Sequence, residues 1–164
     1  MSSSVRVLVC LSLLATPAVV AATPPSALEE LGKAIFFDPS LSEPAGQACA
    51  TCHGPTAGWT GPDSPINAAG AAYPGAIPER MGNRKPPSAA YAMAPSLHLD
   101  PVEQHFVGGN FWDGRATGWL LGNPLAEQAQ GPFVNPVEQN HPDATAVVAK
   151  VCRGPHAERL EAVF

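Results

Sequence analysis

The chain has 164 residues, 14% of them charged, and a formal net charge of −5. That length fits one domain, or one domain behind a leader, and the lack of any basic block or basic-aromatic alternation excludes a nucleic-acid-binding face. The 19 prolines and 15 glycines predict long ordered loops between few helices, with a core too small to be more than marginal by itself.

Residues 1–22 read as a secretory signal peptide. Arg6 gives a positive start, Val7 to Val20 is largely apolar, and Val20-Ala21-Ala22 offers small residues for cleavage after Ala22. An uncleaved anchor helix is the alternative, but the apolar run is short for a span. The expectation is export, to a periplasm, without stable membrane insertion after cleavage. Ser26 to Phe37 is predicted to be a helix. Ser26 and Glu29 form a capping box, Leu28, Leu31 and Ile35 share one face, and Asp38-Pro39 ends it.

Cys49-Ala50-Thr51-Cys52-His53 follows. C-x-x-C-H is the c-type haem attachment signature: two thiols form thioethers with the haem vinyl groups, and the histidine supplies an axial imidazole. A zinc ribbon would need a second Cys/His pair, and none follows. A redox dithiol would need a βαβ setting, and none is apparent. Of the other cysteines, Cys10 lies in the leader, and Cys152 reads as a buried helix residue.

Gly54 to Pro87 shows no helical or strand period, as expected of a loop wrapped around a haem edge. It contains no histidine. Asn83 to Ser88 reads as a turn, with a short helix expected around Ala89 to Met93. Phe111-Trp112-Asp113-Gly114-Arg115-Ala116, taken alone, could be a capped helix start with a core tryptophan. Glu127-Gln128-Ala129 and Asn135-Pro136-Val137-Glu138 follow, separated by Gly131-Pro132. Asp143 to Cys152 is predicted to be a helix capped by Asp143, with Val147/Val151 and Val148/Cys152 as apolar pairs and Gly154-Pro155 as its stop. A further helix starts near Ala157. The sequence stops at Phe164 without terminal punctuation, and the expectation is of a truncated product.

These pieces, from Leu31-Gly32-Lys33 and Phe36-Phe37-Asp38-Pro39 through Leu41-Ser42, the Cys49–His53 motif, Phe111–Ala116 and Glu127–Ala129 to Asn135–Glu138, occur in that order in one family. Over residues 26–164 the chain resembles the N-terminal half of bacterial dihaem cytochrome c peroxidases and the related MauG-type enzymes, which mature tryptophylquinone cofactors. The resemblance implies an all-α, cytochrome c-like domain with long loops around a covalent haem. It also implies that this haem is the peroxidatic one. The second haem belongs to a further domain, usually His/Met-ligated, that takes electrons from a small c-type cytochrome or cupredoxin. With no second C-x-x-C-H, this chain holds one haem c and the missing half is expected to hold the other.

The resemblance also assigns roles. Cys49 and Cys52 would hold the haem, and His53 would ligate the iron. Glu138 matches a distal carboxylate that moves a proton between the peroxide oxygens, as one carboxyl can act as base and then acid. Gln128 matches an amide that orients peroxide. Trp112 matches an electron relay between haems. Arg115 would brace this segment or a haem propionate. The plainer alternatives are a solvated carboxylate, a surface amide and a core tryptophan.

Three departures from the family pattern stand out. Six extra residues lie around Trp119 to Pro124. Lys85 replaces an asparagine near the interdomain calcium, which puts calcium binding in doubt. The loop after the haem motif also lacks the histidine that gates many of these enzymes, with His98 and His105 as remote substitutes. The expected reaction is reduction of hydrogen peroxide to water, or MauG-like oxidation of a partner protein. The rival is a single-haem electron carrier with Met93 or Met81 as the sixth ligand.

Overall fold

The structure is a computed structural model and describes residues 24–164; the signal-peptide reading of residues 1–22 lies outside the described residues. Helix α1 (Ala27–Phe36) begins where the capping box places it. The Glu29 N–H donates to Ser26 Oγ at 3.3 Å, and the Ser26 N–H donates to Glu29 Oε2 at 2.7 Å. Of the expected apolar face, Leu31 is buried and Ile35 half-buried, but Leu28 points out at 56% exposure. Asp38 Oδ1 then accepts the Ser40 N–H at 2.7 Å and starts a 3-10 turn, Pro39–Leu41, which drives Leu41 into the core.

Helix α2 (Cys49–Cys52) is a single turn. The stretch after it is mostly loop, as expected, with a 3-10 turn, Pro55–Ala57, and one short α-helix that the sequence pattern missed: α3 (Ser64–Ala68), capped by Asp63 Oδ1 on the Ile66 N–H at 2.8 Å. Five residues are too few to show a helical period. The helix expected around Ala89 to Met93 does not form. Tyr91 takes a left-handed φ of 61° and is fully exposed, and that backbone state cannot continue a right-handed helix.

A small hairpin comes next, with β1 (His98–Leu99) antiparallel to β2 (Phe106–Val107) and His98 opposite Val107. Phe111–Ala116 is not a helix start. It is a tight turn closed by the Asn110–Ala116 bridge, with the Asn110 N–H donating to the Ala116 carbonyl at 2.8 Å. Helix α4 (Pro124–Val134) is capped by Asn123 and runs through the Gly131-Pro132 that separates the two motifs in the sequence. Pro132 falls in its last turn, where it removes one backbone hydrogen bond from the helix.

Helix α5 (Ala144–Arg153) starts with Asp143 Oδ1 accepting the Ala146 N–H at 2.8 Å. Val151 is buried, but Cys152 is exposed and Val148 is 57% exposed. This corrects the reading of Cys152 as buried: α5 buries one stripe, and Val148/Cys152 lie about 100° around the helix from Val147/Val151. Helix α6 is Ala157–Glu161.

Helix α5 packs against α4, α6 and the 3-10 turn, and α1 packs against α6. Three cationic or imidazole side chains fasten the 38–43 segment from behind. The His141 Nε2–H donates to the Leu41 carbonyl, Lys150 Nζ reaches Glu43 Oε2 at 3.0 Å, and His156 Nε2 meets Asp38 Oδ2 at 2.8 Å. The described domain is mostly helical, and among the described residues no helix is long and apolar enough to cross a membrane.

Candidate functional site

One turn of helix puts Cys49 and Cys52 on the same face, since residues three apart are neighbours there. Both thiols are free and half-buried. Burial raises both pKa values, Cys52 to about 11, and the nearby Glu138 charge pushes them the same way. His53 caps this turn, and its N–H donates to the Cys49 carbonyl at 2.9 Å. Its Nδ1 lies 2.9 Å from the Pro87 carbonyl and 3.3 Å from the Trp59 carbonyl. Both neighbours only accept, so Nδ1 carries the proton and Nε2 keeps its lone pair. Two same-face thiols and an imidazole with a fixed free nitrogen are the donor set that a covalent haem requires, and they fit it. Among the described residues no three His, Cys, Asp or Glu side chains gather as a zinc site would need. The Trp59 ring packs edge-on to Phe36 and Phe37, with centroids 5.9 and 6.2 Å away, which ties α1 to the backbone that orients His53.

Glu138 comes from the turn that ends α4. The Glu138 N–H donates to the Asn135 carbonyl at 3.0 Å, and the Gln139 and His141 N–H groups cap the Pro132 and Phe133 carbonyls at 3.1 and 2.9 Å. The same turn docks on the segments flanking the cysteines. The Glu138 carbonyl accepts the Ala76 N–H at 2.7 Å, the Gln139 carbonyl accepts the Glu43 N–H at 2.8 Å, and buried Gln139 donates to the Gln47 carbonyl at 3.4 Å. The carboxylate lines a cavity of about 310 Å³ with Phe111, Arg115 and Asn135, bounded by Gly131 and Pro132. Burial raises the Glu138 pKa above its ordinary value; the Asn135 hydrogen bond and the Arg115 charge oppose that rise without cancelling it.

The other candidates are placed unevenly. Arg115 lies over the Phe111 ring at 3.7 Å and bonds both Asp113 oxygens at 2.9 Å, so it braces the turn at the cavity wall. Gln128 is half-buried on α4, about three turns of backbone before Glu138, and is not among the cavity-lining residues. Trp112 is 72% exposed, which removes the core-packing alternative, and Arg84 stacks 4.5 Å from its ring centre. Met81 and Met93 are 50% and 91% exposed, and neither lines the cavity. His98 and His105 sit exposed on the hairpin.

Two contributors carried little sequence signal. The Trp59 and Pro87 carbonyls that set the His53 tautomer are backbone groups, invisible to residue type. Glu127 spends both oxygens on the extra loop, accepting the N–H groups of Gly118 and Leu120 at 2.8 Å and Leu121 at 3.0 Å. Its position next to the Trp119–Pro124 insertion was the only available hint.

The family model for di-haem cytochrome c peroxidase matches residues 26–164. The chain belongs to the di-haem cytochrome c peroxidase family. It is 40% identical over 141 residues to the methylamine utilization protein MauG of Paracoccus denitrificans, covering 84% of this chain and 34% of that protein. It is 33% identical over 149 residues to the cytochrome c551 peroxidase of Nitrosomonas europaea, covering 89% of this chain and 36% of that one. The solved structure of the diheme peroxidase BthA from Burkholderia thailandensis superposes with a TM-score of 0.73 at 36% identity, covering 87% of this chain and 33% of that chain. The chain thus spans about a third of the length of the curated relatives it matches. The family is one of di-haem proteins, and the fold is the cytochrome c-like one.

Proposed function

We propose that this domain carries the peroxidatic haem of an exported dihaem peroxidase, with Cys49 and Cys52 holding the haem and His53 ligating its iron. The observation that carries the reading is the convergence of two elements: the Glu138 cavity is built from the turn that docks onto the segments flanking Cys49–His53. The haem, when bound, supplies the iron that binds peroxide and the route for electrons. Glu138 serves as the proton carrier. Its carboxyl would accept a proton from one peroxide oxygen and return it to the other, which would leave as water. One peroxide, two protons and two electrons give two waters, with the electrons coming from a small redox donor protein through a second haem domain.

Burial suits Glu138 to this task, because a raised pKa brings the carboxyl nearer to working pH. Arg115 braces the cavity wall, and Trp112, exposed beside Arg84, is the relay toward the second haem. Gln128 is assigned to orienting peroxide on the family match alone. A MauG-like variant, oxidising a partner protein, draws on the same site; the exposed Trp112 face favours it as the second reading. The exposed positions of Met81 and Met93 argue against an electron carrier closed by methionine.

The test is the optical spectrum of the ferric, haem-loaded full-length protein before and after hydrogen peroxide. A fast spectral change that Glu138→Gln slows by about a hundredfold or more fits the magnitude of general acid–base catalysis. A low-spin spectrum with a sulfur-to-iron band and no response to peroxide, even after partial reduction, overturns the reading.

A further inference from the structure

We infer that Asn135 is the positioning residue for Glu138, holding one carboxylate oxygen so that the other serves peroxide in the cavity. The inference rests on the proton-carrier reading of Glu138 and adds a residue to it. Asn135 Nδ2 donates to Glu138 Oε1 at 2.7 Å, and both side chains line the cavity. The Asn135 Oδ1 accepts the Val137 N–H at 3.2 Å. These two bonds fix the orientation of the amide. A flipped amide would set NH2 against an N–H and oxygen against a carboxylate, losing both.

The turn leaves Asn135 little freedom to do anything else. Its carbonyl accepts the Glu138 and Asn140 N–H groups at 3.0 and 2.9 Å, and its own N–H donates to the Pro132 carbonyl at 3.4 Å. Pro136 fixes the next φ. The side chain is thus pinned at its base by backbone bonds and at its oxygen by Val137, and its NH2 is aimed at one carboxylate oxygen. Glu138 Oε1 is consumed by that bond. Oε2 takes no hydrogen bond from the described residues and is the oxygen left for proton exchange. The groups facing this carboxyl are Arg115 across the cavity and His53, Cys49 and Cys52 from α2.

An ionised aspartate at 135 would close the same turn through its oxygen but offer no donor to Glu138. Asparagine is the residue that does both, and that difference makes the test. In the full-length haem-loaded protein, Asn135→Asp in its ionised form keeps the turn and removes the donor. Asn135→Ser keeps an oxygen for the turn without adding charge, while its hydroxyl, one bond shorter, loses the amide's reach to Glu138. Two readouts are taken: the rate of the reaction with hydrogen peroxide, and the infrared carboxyl bands of Glu138, identified by their loss in Glu138→Gln.

The expected result is a shift of the Glu138 bands in both variants, with a rate about tenfold to a hundredfold lower at unchanged far-UV circular dichroism. Should Asn135→Asp fail to fold, Asn135→Ser carries the test. Unshifted bands and a wild-type rate in a folded variant overturn the inference. Two outcomes separate it from the reading beneath it. If Glu138→Gln itself reacts at the wild-type rate, the proton-carrier reading fails, and the inference with it. If Glu138→Gln is slow while Asn135→Asp is unaffected in both readouts, only the role of Asn135 fails.

Discussion

Gly75 is the most demanding position in the site. Its backbone does not need a left-handed conformation, so only space forbids a side chain. A Cβ there would stand 2.6 Å from the Val137 carbonyl oxygen, 2.7 Å from its carbon and 3.1 Å from the Glu138 nitrogen. All three are backbone atoms of the turn that presents Glu138, so no flexible side chain can swing aside. Ordinary contact starts at 3.4 Å, and Gly75→Ala must therefore push the two segments apart by about 0.8 Å, an overpacking strain of about 1–3 kcal/mol. Since a misplacement of about 1 Å costs about a hundredfold in rate, a shift of about 0.8 Å scales to about fortyfold. Stopped-flow reaction of the full-length haem protein with hydrogen peroxide reads the rate, and urea unfolding reads the stability. A Gly75→Ala protein that is stable and reacts at the wild-type rate would refute the reasoning that the 75–76 backbone sets the height of Glu138.

Three further changes probe the surrounding structure. Leu41, 1% exposed, should lose about 2–5 kcal/mol as alanine, read by chemical denaturation. Gly32 sits inside α1 with nothing within 4 Å of a Cβ, so Gly32→Ala should gain about 0.5–1 kcal/mol by the same assay. At Asp38, burial pushes the carboxyl up, but the Ser40 and His156 bonds together hold it below its ordinary value. A depressed carboxylate stabilises fully above its unfolded pKa and loses that contribution as pH falls through the lower folded value. Asp38→Asn should therefore be less stable than wild type at neutral pH, by about 1–3 kcal/mol for the His156 partner left behind. That gap should close below about pH 4; a gap that persists at acid pH would show that the pair is not its source.

Much of this was legible in the residues. Capping pairs are local, so Ser26/Glu29 and Asp143 announced their helices. What stayed hidden depends on distance in the chain or on backbone atoms. Val148 and Cys152 looked like a core pair because spacing alone does not say which of two apolar stripes a helix buries. The Phe111–Ala116 turn depends on two positive-φ residues, Phe111 and Gly114, only one of which is a glycine. The tautomer of His53 is set by two carbonyls, one of them 34 residues downstream. The role proposed for Glu138 came from a family likeness, whereas its neighbour Asn135 became interpretable only once the amide was seen bonded in two directions.

The grip on residues 38–43 has a consequence for biogenesis. His141, Lys150 and His156 reach back across 100, 107 and 118 positions to close that segment. Contacts of such range form late, because the chain between them must be ordered first. Cys49 and Cys52 lie inside the span thus closed. A chain emerging from its amino end therefore presents both thiols on an open, unfastened segment until the residues of α5 and α6 arrive. The proposed haem attachment at Cys49 and Cys52 would therefore be easiest before the last helices close the domain.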